Sequence, residues 1–230
     1  AGEYYVGSFN GKTFKPESEK HRMDYGENYY ASQTWNDMPA KDNRRILVAW
    51  MNGGQYPDMP FNQQMTFPTE LTLRTLDDGI KICRMPVKEI KKLYGKKHSW
   101  KNVEIRPGEN ILSDLNTDLY DISVEIDIKQ ASEVGFNLRG EHITYSAKDQ
   151  KLTCRGRSAE LKPKNGKIKL RILLDRTSIE IFAGDGDTCM SFCFLPDLNN
   201  HIIEIFSKDG QAKVIKMDIY EMKSAWNNHG

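Results

Sequence analysis

No apolar run among the 230 residues approaches the ~20 that a membrane-spanning helix needs, so no helical span is expected. Nor does either sign of charge dominate: 33 Lys+Arg stand against 32 Asp+Glu, a net charge of +1. That balance leaves no basic field for a phosphate backbone, which argues against nucleic-acid binding. The first residues, Ala1-Gly2-Glu3, are not basic and lead into no apolar stretch, so no signal peptide is expected. Cysteines number only four, too few and too unpatterned for a disulfide scaffold. Cys83 and Cys154 stand alone. Cys189 and Cys193 form a C-x3-C pair whose side chains would face the same way in a strand, with no histidine close by in the sequence. Buried free thiols fit them better than a metal site. Neither EF-hand spacing nor a nucleotide, haem or flavin fingerprint occurs, so neither metal nor organic cofactor is expected.

With 38% apolar and 28% charged residues, the chain can build one large or two modest cores. Its texture divides it. Residues 1–86 are rich in Tyr, Trp, Asn, Gln, Gly and Pro, and short apolar runs at 4–9, 29–35, 45–51, 70–74 and 80–85 read as strands of a meander. In 87–97 the period changes: Val87, Ile90, Leu93 and Tyr94 fall at helical spacing between lysines, with Pro86 before and Gly95 after. A short amphipathic connector helix is expected there, its lysines forming the wet face. Residues 98–226 return to period two. Tyr120, Ile122, Val124, Ile126 and Ile128 alternate with polar residues, and so do Ile168, Leu170, Ile172 and Leu174. Further strands are expected near 134–138, 142–147, 151–154, 178–182, 188–194, 201–206 and 214–220. Strands with one apolar face imply packed antiparallel sheets, hence a β-sandwich. Residues 227–230 form a tail.

The first zone gathers aromatic and amide side chains: Tyr29-Tyr30-Ala31-Ser32-Gln33-Thr34-Trp35, Trp50-Met51-Asn52 and Phe61-Asn62-Gln63-Gln64. Flat rings stack on the C–H faces of sugars, and amides both donate to and accept from hydroxyls. Two readings stand side by side, a carbohydrate cleft and a small aromatic core with amides satisfying loop backbones. Glycoside hydrolysis needs two carboxyl groups. Asp24, Asp37, Asp58 and Glu70 are the acidic candidates, and their surroundings in the sequence show no raised-pKa acid beside a held nucleophile. Acidic turns at Asp175-Arg176-Thr177-Ser178 and Gly184-Asp185-Gly186-Asp187 read as turn chemistry rather than metal sites.

Asp24-Tyr25-Gly26 with Tyr29-Tyr30-Ala31-Ser32-Gln33-Thr34 resembles a stretch of glycoside hydrolase family 32, the invertases, levanases and inulinases. So do Arg44-Arg45-Ile46 leading to Ala49-Trp50-Met51-Asn52, the segment from Met59-Pro60-Phe61-Asn62 to Glu70-Leu71-Thr72-Leu73, and Asp175-Arg176-Thr177-Ser178-Ile179-Glu180-Ile181-Phe182-Ala183. The resemblance implies an all-β chain: the final part of a five-bladed β-propeller (1–86), a short helical linker (87–97) and a C-terminal antiparallel β-sandwich (98–226). It also implies retaining hydrolysis of β-fructofuranosides by an aspartate nucleophile, a glutamate acid/base and a second, transition-state-stabilising aspartate. The family carries these in Asn-Asp-Pro, Arg-Asp-Pro and Glu-Cys motifs, none of which occurs here; Asn36-Asp37 is followed by Met38.

No catalytic residue is therefore assigned. The chain reads as the C-terminal portion of a β-fructofuranosidase, inactive alone, with an N-terminal polypeptide as the partner that would complete the propeller and a fructan or fructoside as the intact parent's substrate. Substrate contacts implied by the resemblance, or placed in the matching loop, are Tyr30, Gln33, Trp50, Asn52, Asn62 and Gln63. Many members carry a second tryptophan four places after the first; here Gly54 stands there. An extracellular or periplasmic setting is implied by the family alone. The alternative is a non-catalytic carbohydrate-binding or partner-stabilising β-sandwich module.

Overall fold

The computed structural model describes residues 2–225; the expected tail at 227–230 and the last residue of the 98–226 zone lie outside them. Residues before 87 form β1 (Glu3–Tyr4), β2 (Gly7–Phe9), β3 (Phe14–Pro16), β4 (His21–Arg22), β5 (Tyr30–Thr34), β6 (Arg45–Trp50), β7 (Thr69–Leu76) and β8 (Gly79–Pro86). The last four make a four-stranded antiparallel sheet in sequence order, here called the blade. The run expected as one strand at 4–9 is broken. Its first part pairs with β4 and its second with β3, so the chain turns between them.

Lys88–Leu93 form a 3-10 helix with Ile90 its buried residue. The expected helix over 87–97 is thus shorter. Tyr94 to Lys97 belong instead to β9 (Tyr94–Ile105), because pairing with the last strand outweighs the local period. Tyr94 stacks on Tyr220 at 3.8 Å between ring centroids and donates its hydroxyl to Asp121 at 2.8 Å.

After β9 come β10 (Tyr120–Asp127), β11 (Glu133–Leu138), β12 (Glu141–Ser146), β13 (Lys151–Cys154), β14 (Arg157–Glu160), β15 (Lys167–Leu174), β16 (Ser178–Ala183), β17 (Thr188–Cys193), β18 (Ile203–Lys208) and β19 (Ala212–Met222). They form a six-stranded sheet, β17-β16-β15-β10-β19-β9, and a five-stranded one, β14-β13-β12-β11-β18. One hydrophobic core runs through both sheets, with Ile122, Phe136, Tyr145, Ile181, Phe192 and Ile219 fully or almost fully buried. Each isoleucine and phenylalanine among them contributes ~1.5–3 kcal/mol by leaving water. All four cysteines are buried free thiols.

The β16–β17 hairpin departs from the one-face-wet pattern: every residue of both strands is buried. Ile179, Ile181, Met190 and Phe192 face the sandwich core. The opposite face carries the pairs Ser178–Cys193, Glu180–Ser191 and Phe182–Cys189. It is covered by the blade and by the turn around Asp24-Tyr25-Gly26. This seam joins the two parts of the molecule.

Candidate functional site

Tyr30 opens β5 opposite Trp50 at the end of β6. A bulge follows, with Ala31 in the left-handed region at φ 46°, so that the next pairing is Gln33 with Val48. The extra residue matters because faces alternate along a strand. Tyr30 and Gln33 are three apart and would point to opposite sides of a regular strand; the bulge returns them to one side, with Trp50. The Tyr30 and Trp50 rings meet edge-on at 6.2 Å. Trp50 donates its indole N–H to Gln63 Oε1 at 2.5 Å, which draws the loop after β6 back over the strand end. Tyr30 is 56% exposed, and Gln33, Asn62 and Gln63 are exposed too. The result is an open aromatic and amide face. Asn52 sits half-buried at the start of the same loop, its carbonyl accepting from Asn28 Nδ2 at 2.6 Å, and Asn62 lies beside Gln63.

Of the six expected contacts, Tyr30, Trp50 and Gln63 touch in sequence, Gln33 shares their face, and Asn52 and Asn62 belong to the adjoining loop. Two clefts of about 380 and 330 Å³ open elsewhere along the seam, and none of the six lines either. At Gly54 an added Cβ would lie 2.3 Å from the Tyr56 hydroxyl, so Tyr56 fills the space beside it. Tyr56 is itself buried, donates to Cys193 Sγ at 2.9 Å, and packs its ring 5.1 Å from Phe61.

The acidic candidates divide sharply. Asp37 and Asp58 are exposed and Glu70 is half-buried on β7. Asp24 is fully buried and pairs with Arg84 of β8, itself 1% exposed. Asp24 Oδ1 accepts from the Gly26 and Ser191 N–H groups at 2.8 and 3.0 Å, and Oδ2 from the Ser191 hydroxyl at 2.7 Å. Arg84 also lies over the Tyr29 ring at 4.5 Å. The Asp24 carboxylate has its acceptors filled, whereas Arg84 Nε and Nη1 are buried without a hydrogen-bond partner; removing Asp24 or Arg84 would leave the other charge stranded.

Glu180 is the carboxyl that sequence reasoning missed. It lies fully inside the seam on β16; burial pushes its carboxyl up to about 8, against the Phe67 N–H bond and the Arg84 charge, which pull it down. Its Oε1 accepts the Phe67 N–H at 2.8 Å, while Oε2 has no partner. Asp24 and Glu180 are thus two neighbouring carboxyls of different character. Both are enclosed: Asp24 is held by its charge partner, and Glu180 by the backbone of the loop it supports. They build the seam rather than flank a sugar. A glutamate at an alternating position of an otherwise apolar strand, Ser178-Ile179-Glu180-Ile181-Phe182, was the available signal that this face is covered.

Comparison with known proteins places both parts of the chain. The pattern described as "Glycosyl hydrolases family 32 N-terminal domain" matches residues 1–86, and "Glycosyl hydrolases family 32 C terminal" matches 89–221. A levanase of Bacillus subtilis is 33% identical over 97% of this chain and 38% of its own length. An extracellular exo-inulinase of Aspergillus ficuum is 24% identical over 98% of this chain and 48% of its own. The chain therefore spans less than half the length of these curated relatives. Among solved structures, an exo-inulinase from Aspergillus awamori superposes with a TM-score of 0.84 at 22% identity, covering 97% of this chain and 50% of that one. Fructan 1-exohydrolase IIa from Cichorium intybus gives 0.74 at 19% identity, covering 96% and 54%. Blade, seam and sandwich thus follow one known fold, and two patterns of one family cover nearly all of the sequence: the chain belongs to glycoside hydrolase family 32.

Proposed function

We propose that this chain forms the C-terminal portion of a β-fructofuranosidase that hydrolyses fructan or sucrose-type bonds with retention. In this reading the blade and the strands before it (1–86) are the last part of a five-bladed propeller, 87–97 link it to the sandwich, and an N-terminal polypeptide supplies the remaining blades. Tyr30, Gln33, Trp50, Asn52, Asn62 and Gln63 form one wall of the fructosyl pocket. The nucleophile, the acid/base and the transition-state aspartate come from outside these 230 residues. The carrying observation is the Tyr30–Trp50–Gln63 cluster, an aromatic and amide face left open at the end of the blade in a family 32 chain. Such a face suits a sugar ring and its hydroxyls but offers no carboxyl pair to break the bond. The relatives described as levanases and exo-inulinases favour fructans, and the description of the Aspergillus enzyme as extracellular favours an extracellular or periplasmic setting.

The test is fructose release from levan, inulin and sucrose, by this chain alone and by the chain extended through its upstream coding sequence. Release by the extended chain only is the expected result. Turnover by the isolated 230 residues would overturn the assignment of the carboxyls to another segment. A second reading, a non-catalytic carbohydrate-binding or partner-stabilising module, draws on the sandwich having a large core of its own. Calorimetry of the isolated chain against fructans addresses it, and tight binding without turnover by either form would favour it.

A further inference from the structure

The loop from Asn52 to Pro68 carries Asn62 and Gln63 on an exposed stretch, yet its anchors are buried. It leaves β6 and returns to the blade at β7, and its returning half runs back along the end of β6: Trp50 bridges Met65, and the Thr66 N–H donates to the Ala49 carbonyl at 2.9 Å. Three further contacts tie it to one place in the sandwich. Tyr56 donates to Cys193 at the end of β17. The hydroxyl of Thr177, just before β16, donates to Gln64 Oε1 at 2.6 Å. The Phe67 N–H donates to Glu180 on β16 at 2.8 Å. Asn28 adds a fourth, indirect tie: its Oδ1 accepts the Cys193 N–H at 2.8 Å while its Nδ2 holds the Asn52 carbonyl.

Gln64 is held at both ends of its amide. Its Nε2 lies 3.4 Å from Met51 Sδ, and its backbone carbonyl accepts the Met51 N–H at 2.9 Å. With Gln64 turned inward to Thr177, its neighbour Gln63 is free to reach Trp50 on the open face. Thr177 is 4% exposed, and its hydroxyl reaches the sugar-facing loop through Gln64.

We propose that the β16–β17 hairpin is the positioning element for the sugar-facing loop, and that Thr177 is the positioning residue which sets Gln63 and Asn62 against bound fructoside. The sandwich would then tune substrate affinity without contacting substrate. The idea rests on the fructosidase reading for its consequence, but not for the pinning itself, so the two are tested separately.

The first experiment uses the 230-residue chain and amide hydrogen exchange. Thr177→Val keeps the shape and removes the donor; Thr177→Ser keeps the donor. In the valine variant, exchange over residues 61–67 should speed up by about three- to tenfold, as expected for one neutral hydrogen bond. The strands β10–β15 should keep their protection, and serine should restore wild-type rates. Unchanged exchange at 61–67 in the valine variant would overturn the pinning. The second experiment uses the upstream-extended chain. The valine variant should raise KM for fructan about three- to tenfold with kcat within about twofold, and serine should rescue it. Equal KM values in an active wild type and its valine variant would overturn the coupling to substrate. An extended wild type that releases no fructose would refute the fructosidase reading, while the exchange result would still decide the pinning.

Discussion

Glu180 links burial to pH. Its carboxyl titrates near 4.5 when free and near 8 in the folded chain, because burial penalises the charged form. The groups facing it are the Phe67 N–H, Arg84, Asp24 and Asp175, and the two that favour ionisation do not overcome the burial. A folded-state pKa above the unfolded value means stability that is fully present below about 4.5 and is lost as pH rises to about 8. The slope from this one group approaches ~1.4 kcal/mol per pH unit within the window. Glu180→Gln keeps the acceptor for Phe67 and removes the titration. Urea midpoints should therefore fall less between pH 5 and pH 8 in this variant than in the parent chain, and parallel falls would show that Glu180 does not titrate in that range.

At the level of elements, the Asp24-Tyr25-Gly26 turn closes the exposed edge of the six-stranded sheet. β17 ends that sheet, and the Tyr25 and Asn28 N–H groups donate to its Cys189 and Ser191 carbonyls at 2.8 and 3.0 Å. An unpaired edge is thereby covered within the chain. Gly26 permits the approach: a Cβ there would lie 2.2 Å from the Ser191 carbonyl oxygen, against backbone that cannot swing away. Gly26→Ala should cost roughly 1–3 kcal/mol in urea unfolding and loosen exchange protection at Ser191 and Cys193. A variant of parental stability would contradict the close approach.

The same elements show what could be read in advance. Alternation marked β10, β15 and the core-facing half of β16–β17, because one apolar face is a local property. It missed β14, the short β3 and β4, and all of β9, whose partner β19 lies more than a hundred residues away in sequence. Tyr30 and Trp50 stand out by motif resemblance and Gln63 by its place in the loop after β6, and the three side chains do meet. Nothing local shows what Thr177 and Glu180 hold, since their contacts are with a loop more than a hundred residues earlier.

Across the whole molecule, apolar burial is uneven. The main core lies in the sandwich, with Ile105 near one end of its sequence and Ile219 near the other. The blade has a small cluster around Tyr29, Leu47 and Ala49, and another around Met51 and Tyr56 that borrows Cys193. Stability should follow this division. A fragment of residues 87–225 should show a cooperative calorimetric transition, whereas 2–86 alone should show none. A sharp transition in the smaller fragment would mean that the blade needs no neighbour to fold.

The phenol beside Gly54 carries a consequence for what position 54 can accept. The volume a side chain at position 54 would need belongs to Tyr56, whose hydroxyl is tethered to a thiol in the seam. An indole introduced there would have to evict that ring and break its tether in the same event. Positions 54 and 56 are therefore coupled: a large side chain at 54 requires a smaller one at 56.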